Sequence, residues 1–233
     1  MTFLKHGANY AGIAMIILSV ISCDFSPKPL FNGADLEGWY QDIPANDTLE
    51  KPMDAFVVRE GNLVSLGTPR GHLLTNTLYK NYRLTLEYRF PKTAGNSGIL
   101  VHTSVPRVLY GEFPKSIEIQ LMHENAGDFW CIAEDIEVEN MEAFRGPKSE
   151  WGTLAGKARR IKNRTDDSER SIGEWNSVVI ECIENEIKVW VNSDMVNHGF
   201  NATVSEGKIA LQSEGSEVIF RDIELTPIST FTK

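Results

Sequence analysis

The sequence predicts an all-β protein, a sandwich or jelly roll of short antiparallel strands. Three observations lead there. Short apolar or alternating runs recur along most of the 233 residues; Gly, Pro, Asn and Asp separate them; and no apolar stripe at helical spacing extends over any length. Hydrophobic residues make up 42% and charged residues 24% of the chain. That composition is globular and supplies a core for one domain of this size without staples.

The strands are justified in order. Ala55–Arg59 and Asn62–Leu66 flank Glu60-Gly61, a tight-turn signal. Arg83–Phe90 alternates: Leu84, Leu86, Tyr88 and Phe90 take one face, and Arg83, Thr85, Glu87 and Arg89 the other. Gly98–Thr103 and Ser116–Met122 follow. Ser177–Ile183 and Glu186–Asn192 form a hairpin about Glu184-Asn185, and Lys208–Gln212 and Val218–Leu225 close the series. Between them, residues 140–173 are polar and carry Lys157, Arg159, Arg160, Lys162 and Arg164 close together. A long insertion of this kind is a functional loop or a solvated one. The basic run reads first as a solvated strand or loop edge, with Asp166, Asp167 and Glu169 close enough to neutralise much of it; the alternative is that one or two of its cations face an oxygen-rich ligand.

Lys plus Arg number 23 against 32 Asp plus Glu, a formal net charge of −9. Such a surface repels phosphate backbones, so no nucleic-acid partner is expected. Residues Met1 to Cys23 read as an export signal: Lys5 is the positive start, Ala11 to Ile21 the apolar run, and Val20-Ile21-Ser22-Cys23 resembles a bacterial lipobox. The expected organisation is a lipoprotein signal peptide over 1–22, a tether over 23–29 and one domain over 30–228. Cys23 is the lipidated residue, and the protein is held by its lipid at a membrane of the bacterial cell envelope, in the periplasm or at the outer membrane. Cys131 and Cys182 lie in apolar runs and read as buried free thiols, with a disulfide as the alternative.

Six segments in order carry a resemblance to a known family. They are Leu30-Phe31-Asn32-Gly33-Ala34-Asp35-Leu36-Glu37-Gly38-Trp39, Gly95-Asn96-Ser97-Gly98-Ile99, Ile117-Glu118-Ile119-Gln120, Gly173-Glu174-Trp175-Asn176, Gly207-Lys208-Ile209-Ala210-Leu211-Gln212-Ser213-Glu214-Gly215 and Phe220-Arg221-Asp222-Ile223. From about Pro29 to Pro227 the chain resembles the 3-keto-disaccharide hydrolase domain. The resemblance implies a concanavalin A-like jelly-roll β-sandwich of two antiparallel sheets. It also implies action on glycosides whose sugar ring carries a ketone at C3, with a carbohydrate as the partner.

Such a ketone acidifies the C2 proton, so a base can remove it, the aglycone can leave C1 by elimination, and water can then add. The chemistry needs a base, an electrophile for the enolate oxygen and an acid for the leaving group. Glu118 and Gln120, two apart on a strand, share a face opposite the apolar Ile117, Ile119 and Leu121. Glu118, Gln120 and His123 stand where laminarinase-like enzymes carry three acids, a departure that disfavours ordinary two-carboxylate hydrolysis. The family more often has Asp where this chain has His123. Glu118 or His123 is the expected base, with Gln120 beside it; Arg89, His102 or a divalent metal is the expected electrophile. Possible metal ligands are Glu118, His123, Glu124 and Asp128, without a spaced ligand motif. The expected substrate-binding residues are Arg89, Asn96, His102, Asp128, Trp130 and Trp190, the tryptophans as stacking platforms. A non-catalytic carbohydrate-binding lipoprotein on the same fold is the alternative.

Overall fold

The computed structural model describes residues 25–165 and 168–232, together with Thr2. The proposed signal segment and Cys23 lie outside the described residues. The chain begins with β1 (Lys28–Pro29) and β2 (Trp39–Asp42). The expected hairpin joins β3 (Phe56–Arg59) to β4 (Asn62–Ser65) through Glu60 and Gly61, whose φ values of 53° and 77° suit a two-residue turn. β5 (Gly71–Thr75), β6 (Tyr82–Arg89), β7 (Gly98–Thr103), β8 (Ser116–Gln120) and β9 (Phe129–Ile132) follow. The polar insertion holds β10 (Glu137–Val138), a short helix α1 (Met141–Arg145) and β11 (Arg160–Ile161). β12 (Asn176–Ile183), β13 (Glu186–Val191), β14 (Asp194–Phe200), β15 (Lys208–Ser213) and β16 (Val218–Pro227) complete the chain.

The strands form two antiparallel sheets. One runs β10-β14-β13-β12-β6-β16-β4-β3, with β1 also on β16; the other runs β11-β9-β8-β7-β15-β5-β2. The alternation in β6 is realised: Leu84, Leu86 and Tyr88 are buried in the shared core, while Arg83, Thr85, Glu87 and Arg89 are half-buried on the outer face. From the seven-stranded sheet, Ile99, Val101, Ile117, Ile119 and Cys131 meet that core. Cys131 and Cys182 are both buried and free. Burial pushes both thiols up to about 12, which leaves them unreactive.

The seven-stranded sheet has a second apolar cluster on its other face. Leu74, Leu100, Leu109, Ile132 and Ala210 are buried there, with Val108 and Phe113 packed on them. Residues 104–115 are thus laid across this face. Arg107 pins the segment by donating from Nε to Asp42 Oδ1 at 2.9 Å, and Arg70 Nε donates to Glu112 Oε1 at 3.0 Å. Beside this cover the face stays open as a cavity.

Candidate active site

The cavity holds about 230 Å³ and is lined by residues of β7's approach, β8, β9, β15, the 104–115 segment and the basic stretch before β11. The ladder registers explain the gathering. Glu118 sits between Leu100 on β7 and Trp130 on β9, and Gln120 lies opposite Gly98. Side chains two apart on β8 therefore face the cavity, while Ile117 and Ile119 face the core. Gly98 has a specific reason to lack a side chain: a Cβ there would stand 2.3 Å from Glu118 Oε1.

Glu118 is 4% exposed and accepts no hydrogen bond from the described residues. Burial, and then the Glu214 charge, push its carboxyl up to about 8 despite the opposing Arg159 guanidinium. Gln120 Oε1 accepts from the backbone N–H of Leu121 and Met122 at 3.0 and 3.1 Å. Its carbonyl is thereby committed to the chain, and its NH₂ is the end free to donate elsewhere. Asn96 Nδ2 donates to Glu214 Oε2 at 2.9 Å, and Arg70 closes on the other oxygen of Glu214. Burial raises the Glu214 carboxyl and Arg70 opposes that rise.

Several cavity groups are left without partners. Asn96 Oδ1 and Trp130 Nε1 make no hydrogen bond, and the fully buried Gln212 amide has no partner in good geometry, only the nearby Glu214 carboxyl, whose pKa it helps to lower. Buried polar atoms are nearly always paired, so a cluster of unpaired ones on one cavity marks where a ligand supplies the missing partners. Arg159 lies over the Trp130 ring at 5.0 Å and the Tyr110 ring at 5.8 Å, with no carboxylate at ion-pair distance among the described residues.

Of the residues named from sequence, Glu118, Gln120, Asn96 and Trp130 come together here. The others do not. His123 follows the end of β8, where its Nδ1 lies 3.7 Å from Glu169 Oε1 in a separate cavity of about 450 Å³. Glu169 there accepts from Tyr88 Oη at 2.9 Å and from the Glu124 N–H at 2.6 Å. His102 would share the face of Gly98 and Leu100 by alternation. Its φ of 54° and the shifted β7–β15 register turn it inward, edge-on to Tyr82 at 6.0 Å. Burial pushes it down to about 4, so it is neutral at physiological pH. Arg89 is on the outer face of the other sheet, 4.6 Å above Trp175, and Trp190 on β13 is buried on that sheet too, outside the main core cluster. Asp128 is buried as an anchor: it pairs with Arg160 and accepts the Asn163 N–H at 2.6 Å. The possible metal ligands Glu118, His123, Glu124 and Asp128 are consequently dispersed, and among the described residues no three His, Cys, Asp or Glu side chains gather for a metal.

Arg70, Tyr110, Phe113, Arg159, Gln212 and Glu214 complete the cavity without having been assigned to it from sequence. One signal was available. Gln212 and Glu214 are two apart at the end of a strand, the same polar spacing as Glu118 and Gln120. Arg159 was visible only as one of five cations.

A family model described as a 3-keto-alpha-glucoside-1,2-lyase-like domain matches residues 26–226. The chain belongs to this family. The family expected from the six motifs is therefore the one found. Two solved structures of proteins from Parabacteroides distasonis ATCC 8503, each named by inference a glycosyl hydrolase, resemble it. Their TM-scores are 0.61 and 0.59 at 19% and 20% identity, covering 87% of this chain and 94% and 100% of theirs. The carbohydrate binding module CBM66 of Bacillus subtilis is similar at a TM-score of 0.51 and 8% identity, over 81% of this chain and 95% of its own. At these identities the likeness concerns the jelly-roll fold. No curated protein matches the chain. Family and fold are those of carbohydrate-acting and carbohydrate-binding proteins.

Proposed function

We propose that the protein cleaves glycosides oxidised at C3, using Glu118 as the base that removes the C2 proton. The observation that supports this reading is a buried carboxyl without hydrogen bonds, set against an unpaired guanidinium and unpartnered amides in one cavity. A base of raised pKa suits abstraction of a carbon-bound proton beside a ketone. Arg159 and the NH₂ groups of Gln120 and Gln212 are the donors for the C3 oxygen as it becomes an enolate. Trp130 offers the apolar face on which a pyranose ring stacks.

The proton balance closes with one residue. Ionised Glu118 takes the C2 proton, the electrons of that bond form C1=C2, and the C1–O bond breaks. Protonated Glu118 then gives its proton to the departing oxygen, releasing an alcohol. In the return direction ionised Glu118 takes a proton from the water that attacks C1 and returns it to C2. Asn96, held by Glu214, presents its free carbonyl oxygen to a sugar hydroxyl.

The test compares the purified protein, β1 included, on a 3-keto glucoside and on its unoxidised parent. The expected result is release of the aglycone from the keto form alone. Because Glu118 must be ionised, kcat/KM should rise with pH through about 8. A limb that falls through that pH would reassign Glu118 as an acid, and saturable binding without cleavage would favour a binding module. We also propose that Cys23 carries a lipid, which mass spectrometry of the membrane-associated protein would register as an acylated N-terminal cysteine.

A further inference from the structure

The Trp130 and Arg159 wall of the cavity has a second side. Behind it lies a cleft of about 420 Å³ whose lining includes the same two residues together with Lys157, Arg160 and Lys162. In a chain of formal charge −9, residues 157–164 hold five cations and no acid. Two of the five are spoken for: Arg160 pairs with Asp128, and Arg164 with Glu139. Lys157, Arg159 and Lys162 have no carboxylate at ion-pair distance among the described residues, and the carboxylate in the cleft wall is that of Glu142.

This cluster is held in place. Cys131 N–H donates to the Arg159 carbonyl at 3.0 Å, the Lys162 N–H donates to the Phe144 carbonyl at 3.0 Å, and the Lys157 stem packs so closely on Gly152 that a Cβ there would lie 2.7 Å from Lys157 Cγ. Three cations kept near one another without a carboxylate in ion-pair contact, and with Asp128 and Glu118 acting on Lys162 and Arg159 only from a distance, repel each other, a cost that a bound anion lowers. Arg159 and Trp130 line both spaces, so the basic cleft adjoins the cavity that holds Glu118.

We propose that the cleft is a subsite for an acidic substituent, a carboxylate or sulfate, carried by the part of the glycoside beyond the ring that Glu118 attacks. The inference rests on Glu118 marking the reacting ring. The Lys157 and Lys162 ammonium groups, in a cleft whose Arg159 also serves the Glu118 cavity, suit an oxyanion of either kind, and the negative net charge of the chain disfavours a polyanion that would spread beyond the cleft.

The test uses three disaccharides, each in its 3-keto and unoxidised form: glucosyl-glucose, glucosyl-glucuronic acid and glucosyl-glucose carrying a 6-sulfate on the second sugar. Calorimetry on the unoxidised forms measures binding, and aglycone release from the keto forms measures turnover. The expected result is about tenfold or greater preference for an acidic form over the neutral one, shrinking as salt rises. The carboxylate and sulfate arms identify which anion the cleft takes. In the double variant Lys157→Gln, Lys162→Gln the ratio of acidic to neutral should fall towards one, with an unchanged thermal melt showing that the fold is kept. A ratio near one in the unmodified protein, or a ratio that the double variant preserves, overturns the proposal. If no keto form is cleaved, the reaction assigned to Glu118 fails, and the binding ratio still decides for or against the acidic subsite.

Discussion

Two arginine–tryptophan stacks occupy opposite sides of the sandwich. On the outer face of the nine-stranded sheet, Arg89 and Arg221 lie 4.6 and 4.0 Å from the Trp175 ring, and Arg221 closes on Glu87 at 2.6 Å. On the cavity face of the seven-stranded sheet, Arg159 lies 5.0 Å from the Trp130 ring and closes on nothing, although the Glu118 carboxyl lines the same cavity. The residue types match and the accounting differs. In the first stack Arg221 has its carboxylate and is partly solvated, and Arg89, whose Nε is buried without a partner, shares no cavity with a carboxyl. In the second, a carboxyl is buried without a hydrogen bond and an indole N–H has no acceptor. Leaving buried polar groups unpaired costs about 1–3 kcal/mol each. A fold retains that cost where a ligand completes the set, so the second stack is the one to associate with chemistry.

The largest expected effect comes from removing the unpaired carboxyl. Glu118→Gln should lower kcat/KM on a 3-keto glucoside by roughly 10²–10⁴-fold, the usual contribution of a general base. It should also raise stability. The folded-state value of about 8 lies above the ordinary 4.5, so ionising Glu118 opposes folding. The stability advantage of the Gln variant should therefore be absent below about pH 4.5, grow as pH rises, and be complete above about pH 8. Urea titrations at pH 4, 6 and 8 measure it, and a variant that is less stable at all three would show that the carboxylate is satisfied after all. Next in size is Gly98→Ala. Its methyl would displace Glu118 Oε1 while every ionisable residue is kept, and about a tenfold or greater fall in kcat should follow, with KM changed less. Unchanged kcat would mean that the carboxyl position tolerates more freedom than the proposed proton transfers allow.

The contrast between the stacks also explains how far the sequence could be read. Alternation in 84–90 and 117–121 identified the core faces, because a strand of period 2 with one buried side writes its orientation directly into the residue types. The same rule placed Glu118 and Gln120 on a common face. It failed at His102, where a positive φ and a shifted register reverse the side chain, and a bulge leaves no mark in the pattern of residue types. It also offered no valid means of choosing between Arg89 and Arg159. Arg89 sits between Tyr88 and Phe90 on an alternating strand and was the one expected, whereas Arg159 lies in a polar run, and only the order of strands across the two sheets decides which one shares a cavity with Glu118. Asp128 and His123 are close to Glu118 in sequence, yet Asp128 ends in a satisfied network of its own and His123 beside Glu169 in another cavity. Sequence proximity to a catalytic strand carried no information about the face on which they would settle.

A smaller effect should follow from His123→Ala. The imidazole lines the separate cavity beside Glu169, so aglycone release should remain within about threefold of the parent, against the 10²-fold or more expected of a general acid or base. A fall of the latter size would bring the His123 pocket into the reaction and erase the distinction drawn between the two sites.

The smallest effect belongs to the Trp175 stack. Arg221→Gln removes one cation from the Trp175 ring and the partner of Glu87, while Arg89 stays over the same ring. Both lost contacts are partly exposed, so the loss should be about 0.5–2 kcal/mol in urea unfolding, and less in high salt, where the ion pair is already screened. Activity on the keto substrate should stay at the parental level, because the two stacks stand on different sheets with the apolar core between them. A loss of turnover at unchanged stability would be informative in the opposite sense. It would mean that the outer face of the nine-stranded sheet communicates with the cavity through β6 and the core, and that paired polar groups on this fold are not merely structural.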